Sequence, residues 1–198
     1  MNEDQLDIQT FNIITLGCSE VGKTCIIQRY LENEFSSSTI STIGVDCKAK
    51  LFNINSIKYK IIYYDTAGQE RYLSISSKYI KSANGVILVY DITNKKSFSK
   101  IQEWSNILNK DNNNYCAVLV GNKKDLDSKR EVSQNEGLNL ANQLNIDFFE
   151  TSCLTNENVS EMMDKISNLT INKFSTQKKT GTITSLDISN KKKGKNCC

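Results

Sequence analysis

Gly17-Cys18-Ser19-Glu20-Val21-Gly22-Lys23-Thr24 has the spacing G-x-x-x-x-G-K-[ST], and its flanks decide the fold. The apolar run Phe11, Ile13, Ile14, Leu16 precedes it and reads as a buried strand over about 10–16. Cys25 to Leu31 follow and read as part of a helix over about 22–33. Strand, glycine loop and helix together are the context in which this spacing holds phosphate. Glycines let the backbone turn tightly, so successive N–H groups point inward at an anion. A helix starting near Gly22 adds unpaired N–H groups and the positive end of its dipole. In that frame Lys23 sets an ammonium against the β- and γ-phosphates, and the Thr24 hydroxyl is a ligand for Mg²⁺.

Outward from this loop the chain alternates. Residues 1–9 are polar, and Ser36 to Thr42 form a Ser/Thr-rich loop without periodicity. Strands over about 45–54 and 57–64 are joined through Asn55-Ser56 as a hairpin. Ser76 to Ser82 read as a helix. Gly85 to Tyr90 are apolar throughout, the pattern of a strand buried on both faces. Asn94 to Asn109 carry Phe98, Ile101, Trp104 and Leu108 on one helical face. Tyr115 to Val120 is a buried strand, Val132 to Leu144 a helix, Ile146 to Glu150 a short strand, and Val159 to Ile171 a closing helix. This order predicts an α/β protein of the P-loop NTPase type. Its six-stranded sheet is mostly parallel, with one antiparallel edge strand and helices on both faces. Ligands bind such sheets at the carboxyl ends of the strands.

At 198 residues the chain is one domain with extensions, divided here into a body over 1–172 and a flexible tail over 173–198. It has 38% hydrophobic and 24% charged residues, which fits a soluble globular protein. It has no histidine and no proline. Without histidine there is no His-based triad and no His metal site. Cys18, Cys25, Cys47, Cys116 and Cys153 show no metal spacing and read as small residues in a reducing compartment. Cys197 and Cys198 differ, being the last two residues. No secretory signal precedes the first strand, no apolar run spans a membrane, and Asn2 excludes N-myristoylation. From Lys173 onward seven Lys and one Asp carry +6, which leaves −3 for the body out of a total of +3.

Two further motifs fall at strand ends. Asp65-Thr66-Ala67-Gly68-Gln69-Glu70 offers a carboxylate to Mg²⁺ through water and the Gly68 amide to a γ-phosphate. Gly121-Asn122-Lys123-Lys124-Asp125 offers a carboxylate that can accept from both N1–H and N2–H₂ of guanine. Adenine has no N1–H there, and its N1 lone pair would face the carboxylate, so the arrangement selects guanine.

With these motifs in place the chain resembles the Ras-superfamily small GTPases, and among them the Rabs. The resemblance covers about residues 8–172 and the terminal cysteines. It rests on Gly17–Thr24, Ser41-Thr-Ile-Gly-Val-Asp46, Asp65-Thr-Ala-Gly-Gln-Glu-Arg71, Asn122–Asp125 and Glu150-Thr-Ser152. Gln69-Glu70-Arg71-Tyr72 and Leu88-Val-Tyr-Asp-Ile-Thr93 add to it. The resemblance implies that GTP or GDP is held by Gly17, Cys18, Ser19, Glu20, Val21, Gly22, Lys23, Thr24 and Cys25. Phe35 would lie against the guanine and the Lys123 stem over its other face. Thr42, Asp65 and Gly68 would serve the phosphate side; Asn122, Asp125, Ser152 and the Cys153 amide would serve the base. Mg²⁺ would be held by Thr24, Thr42 and Asp65. Gln69 would position the attacking water, with Lys23 stabilising charge. Hydrolysis should be slow, because no arginine occurs in Ser36 to Thr42; an arginine supplied in trans is worth about 10³–10⁵ in rate.

The resemblance also implies geranylgeranyl groups on Cys197 and Cys198, since two chains are what stable anchoring needs. Lys191, Lys192, Lys193 and Lys195 would add roughly 1 kcal/mol each near anionic lipid. The implied setting is vesicle traffic, on the cytoplasmic face of a membrane in exchange with cytosol. The implied partners are exchange factors, GTPase-activating proteins, effectors, Rab escort protein and GDP-dissociation inhibitor. Neither nucleic-acid binding nor stable oligomerisation is expected. Effectors would read Ile43, Cys47, Tyr64 and Tyr79.

Several residues depart from the Rab pattern. Glu20 places a carboxylate in the phosphate loop where a small residue is usual. Cys47 stands for Phe, Tyr64 for Trp, Thr39 for an aromatic, and Cys153-Leu154 for Ala-Lys, so a Lys stem beside the base is lost. Two other readings stay open at this point: a nucleotide-dependent membrane scaffold with negligible hydrolysis, kept alive by Glu20, and an ATP-using P-loop kinase, disfavoured by Asn122–Asp125.

Overall fold

The structure, a computed structural model, describes residues 8–35, 42, 44–68, 73–111 and 114–181, with the side chains of 73–77, 111 and 176–181 left aside. Strand β1 spans Gln9–Leu16 and helix α1 Lys23–Glu32. The hairpin β2 (Val45–Ile54) and β3 (Ile57–Thr66) turns on Asn55 and Ser56, at φ 51° and 65°. Two successive left-handed residues match the right-handed twist of the flanking strands. The order continues α2 (Leu73–Ser82), β4 (Gly85–Asp91), α3 (Lys95–Ser99), α4 (Ile101–Asp111), β5 (Cys116–Asn122), a 3₁₀ turn over Lys124–Lys129, α5 (Gln134–Leu144), β6 (Asp147–Thr151) and α6 (Val159–Gly181).

The described strands form one six-stranded sheet in the order β2-β3-β1-β4-β5-β6. The β2–β3 pair is antiparallel and places β2 at one edge; every other pairing is parallel. This is the architecture expected from the sequence. Successive side chains on a strand point to opposite faces. Ile13, Ile87 and Val89 therefore enter the layer with Ile26, Met162 and Ile166 from α1 and α6. Ile14, Leu88 and Tyr90 enter the layer with Ile80, Trp104, Leu108 and Ala141 from α2, α4 and α5. Burial on both faces is why β4 is apolar along its whole length. Because β1 has β3 on one side and β4 on the other, the chain reverses direction across the sheet at the end of β1, and a crevice opens there.

Two helix readings are corrected. The amphipathic run Asn94–Asn109 is not one helix but two, α3 and α4, meeting at Lys100. The buried Ser97 hydroxyl bonds to the backbone of Asp91 and Asn94, while the Asn94 side chain caps the Lys96 and Ser97 amides. These local bonds hold a short turn against the end of β4. Helix α6 does not stop at Ile171 but runs to Gly181. The buried Phe174 ring packs 6.3 Å from Phe11, and Lys173 Nζ donates to the Tyr115 carbonyl at 2.9 Å, so the helix is docked beyond the last periodic stretch of sequence.

Candidate functional site

Gly22, at φ 96°, ends the loop after β1 and starts α1. A Cβ there would meet Asn122 Nδ2 at 2.2 Å, so both the conformation and the close approach require glycine. Lys23 turns back into the loop: its Nζ donates to the carbonyls of Cys18 at 2.8 Å and Gly17 at 3.1 Å, and the side chain is buried. Burial, only partly offset by Asp65 and Cys18, lowers its pKa to about 8. A cation held on backbone carbonyls in a desolvated cradle favours an anionic ligand. Glu20 lies in the same loop at φ 65°, a left-handed conformation costing a non-glycine residue roughly 1–3 kcal/mol. Its side chain is exposed.

Asp65 sits inside the end of β3, paired across the ladder with Asp46. Its Oδ2 accepts from Thr24 Oγ1 at 2.6 Å and from Thr42 Oγ1 at 3.2 Å, and the two threonine hydroxyls lie 3.0 Å apart. Asp65 Oδ1 is buried with no hydrogen-bond partner among the described residues. Burial pushes the Asp65 carboxyl pKa up despite the Thr24 bond, Lys23 and the Thr42 bond pulling it down. Three oxygen donors and an orphaned carboxylate oxygen form a set that suits a hard cation such as Mg²⁺. Among the described residues no cluster of three His, Cys, Asp or Glu offers another kind of metal site. Gly68 packs directly on the phosphate loop, where a Cβ would meet Ser19 N at 2.3 Å.

At the other end of the crevice Asn122 closes β5. Its Nδ2 donates to Val21 O at 2.8 Å, while Oδ1 accepts from Thr151 Oγ1 at 3.1 Å and more weakly from Cys153 Sγ at 3.6 Å. One buried side chain thus ties the phosphate loop to β6. Ser152 Oγ donates to Asp125 Oδ1 at 2.6 Å and accepts from the Thr155 amide. Lys123, at φ 68°, forms an ion pair with Asp91 Oδ2 at 2.7 Å, and Asp91 Oδ1 is held by the amide and hydroxyl of Thr93. Arg130 grips Glu150 through Nη1 at 2.5 Å and Nη2 at 3.0 Å, which fixes the strand leading into Ser152. Burial raises the Cys153 thiol to about 12, so it is a packed neutral group.

The sheet therefore brings Gly17 to Cys25, Thr42, Asp65 and Gly68 to one end, and Asn122, Lys123, Asp125, Ser152 and Cys153 to the other. Phe35 lies just past α1, 38% exposed, with Arg29 Cζ 5.8 Å from its ring. Cys47 pairs with Tyr64 across the hairpin, and the Tyr64 and Tyr79 rings meet at a tilt of 44° with their centres 4.9 Å apart. Ile43, Gln69, Cys197 and Cys198 lie outside the described residues.

A sequence profile of the Ras family matches residues 12–172. The chain is 42% identical over 162 residues to the Ras-related protein Rab-15 of Homo sapiens, covering 81% of this chain and 76% of that protein. The chain belongs to the Ras family. It is 44% identical over 157 residues to Rab-3 of Caenorhabditis elegans, covering 79% and 72% of the two chains. It is 39% identical over 175 residues to Rab-3C of Bos taurus, covering 88% and 77%. Within the Ras family it is a Rab-type small GTPase, a GTP-binding and GTP-hydrolysing switch of vesicle traffic. The kinase and non-hydrolysing scaffold readings are thereby set aside.

Sequence reasoning missed Asp91, Arg29, Arg130 and Glu150 as supports of this site. Asp91 was visible as a charge ending an apolar strand. Glu150 stood in the Glu150-Thr-Ser152 motif but not as the acceptor of Arg130, and Arg29 and Arg130 gave no signal, since their partners Cys153, Leu154 and Glu150 lie in other elements.

Proposed function

We propose that the crevice at the end of β1 binds GTP and GDP with Mg²⁺, and that Thr42 and Gly68 report which nucleotide is present. The observation that carries this is the meeting of Thr24, Thr42 and Asp65 around an unpartnered buried Asp65 oxygen. Thr24, Thr42 and Asp65 would hold the cation, directly or through water, and bound there it would offset charge on the phosphates. Lys23 and the amides of Ser19 to Cys25 bind the phosphate groups. Asp125 reads the guanine N1–H and N2–H₂, with Ser152 orienting its carboxylate and the Cys153 amide facing the base. Phe35 and the Lys123 stem cover the ring faces. Gln69 orients the attacking water so that its lone pair faces the γ-phosphorus. Little covalent work falls to the protein, so positioning and charge complementarity dominate. When the γ-phosphate leaves, Thr42 and Gly68 lose a shared partner and two loops are released together.

Cys197 and Cys198 accept geranylgeranyl groups, and the lysines near them add attraction to an anionic leaflet. No described helix is long and apolar enough to cross a membrane. The switch works on the cytoplasmic face of a membrane, served by exchange factors, GTPase-activating proteins, escort protein and GDP-dissociation inhibitor. Its effectors read Ile43, Cys47, Tyr64 and Tyr79, where Cys47 offers less apolar area than an aromatic.

Single-turnover hydrolysis tests the switch. Gln69→Leu is expected to hold the GTP state with and without an activating protein; unchanged hydrolysis in both conditions would overturn the role of Gln69. Removal of the last two residues should leave nucleotide binding intact and abolish membrane association in cell fractionation.

A further inference from the structure

Arg29 projects from the last turn of α1 into the loop that follows β6. Its Nε donates to Cys153 O at 2.7 Å and its Nη2 to Leu154 O at 3.2 Å. Its Nη1 donates to Asn33 O at 3.0 Å, the residue that ends α1 at φ 55°. The guanidinium carbon lies 5.8 Å from the centre of the Phe35 ring. One planar fork thus engages three backbone carbonyls from two segments and an aromatic ring. Only arginine has the donor number and rigid plane to do this.

The place of these contacts is informative. Cys153 and Leu154 directly follow Ser152, whose hydroxyl holds Asp125. Leu154 is itself 53% exposed, and its side chain supplies no polar group to the loop. Glu150, on the near side of Ser152, is fixed by Arg130. Without Arg29 the loop would still be held on that side, through Asn122 and Asn158 and by the Ser152 N–H bond to Glu157 O, but the Cys153 and Leu154 carbonyls would lose the donors that tie them to α1.

We infer that Arg29 is a positioning residue for guanine recognition: it straps the Ser152–Leu154 loop to the end of α1 and to Phe35, and so sets the base-reading geometry of Asp125 from a helix that belongs to the phosphate side. This rests on the guanine-nucleotide reading above. Arg29 acts through the loop and through Phe35, the groups it contacts.

The test compares dissociation of GDP and of inosine diphosphate, which lacks the N2 amino group, from the full-length chain with Mg²⁺. Charge-assisted hydrogen bonds of this kind support a loosening of about tenfold in GDP release for Arg29→Ala. Because the N2–H₂ contact depends on where Asp125 is held, inosine diphosphate release should rise less, and discrimination between the two should narrow. Arg29→Lys keeps the charge but not the fork, and should fall between wild type and Arg29→Ala on both measures. Equal acceleration of both nucleotides, or no change in either, would overturn the inference and leave Arg29 a surface tie. If Arg29→Ala does not fold, Arg29→Lys carries the same comparison. Failure of the wild-type chain to bind GDP would instead overturn the nucleotide reading itself.

Discussion

The two ends of the crevice are built on opposite principles. At the guanine end the polar side chains already have partners: Asn122 with Val21 and Thr151, Ser152 with Asp125, Lys123 with Asp91, Arg130 with Glu150. At the phosphate end charge is buried without full compensation. Among the described residues one Asp65 oxygen is without a partner and its pKa is raised by burial, and Lys23 rests on backbone carbonyls with its pKa lowered. A satisfied network is rigid and selects one ligand shape. An unsatisfied one responds strongly to the charge that arrives. On the function proposed above, the end that would recognise the same base in every state is prebuilt, and the end that would distinguish two phosphate states is left poised.

Breaking the prebuilt end should have the largest effect. Asn122→Ala leaves the Val21 carbonyl and Thr151 hydroxyl unpaired in the interior, at about 1–3 kcal/mol each. GDP affinity should fall by about a hundredfold or more, with a lower melting temperature even without nucleotide. A loss of affinity with unchanged melting of the nucleotide-free chain would mean that this end is not preformed.

The opposite result is expected at the poised end. Asp65 ionises less readily in the fold even with the attraction of Lys23 included. Asp65→Asn should therefore raise the melting temperature of the nucleotide-free chain by a few degrees. At the same time, chelating Mg²⁺ should no longer accelerate nucleotide release. A lower melting temperature would remove the contrast between the two ends.

A smaller effect follows from loosening Lys123 alone. Asp91→Asn weakens the 2.7 Å ion pair while keeping the Thr93 turn, so GDP release should quicken by about threefold to tenfold in a fluorescent-nucleotide assay. Hydrolysis of bound GTP in a single turnover should not change, because the place proposed for Lys123 and its partner Asp91 is at the base, away from the phosphates. The smallest effect lies away from both ends. Glu136 forms a capping box with Ser133 and an ion pair with Lys95, and its pKa is lowered to about 2, first by Lys95 and then by Ser133. A lowered native pKa gives stability that is full above the unfolded value of 4.5 and fades as pH falls toward about 2. Glu136→Gln should melt slightly below wild type at neutral pH, the gap closing on acidification, with nucleotide release unaltered.

Much of this was legible beforehand, and the reasons are local. The phosphate loop is encoded by glycine spacing and by its place between a strand and a helix. Asp125 stood out beforehand because a single carboxylate at a strand end has the polarity to accept from guanine N1–H and N2–H₂, the role proposed for it. The hairpin was legible from Asn55-Ser56. What escaped were partnerships between distant side chains. The Arg29–Cys153 bond spans 124 positions, and Arg29 reads in sequence as an ordinary polar residue of an amphipathic helix. The division of 94–109 into two helices also escaped, because Ser97 and Asn94 compete for the backbone only once β4 lies beside them. So did the extension of α6, which depends on the Phe174–Phe11 contact.

The sequence by itself determined that a parallel sheet would carry the Gly17–Thr24 loop, Asp65 and Asp125 at its strand ends, because backbone conformation and donor–acceptor polarity are properties of short segments. Only the tertiary structure decided which charges are paired and which are left waiting. That choice follows from the strand order β2-β3-β1-β4-β5-β6, which sets the ends of β1, β3, β4, β5 and β6 around one crevice and fixes how deeply each charge is buried there.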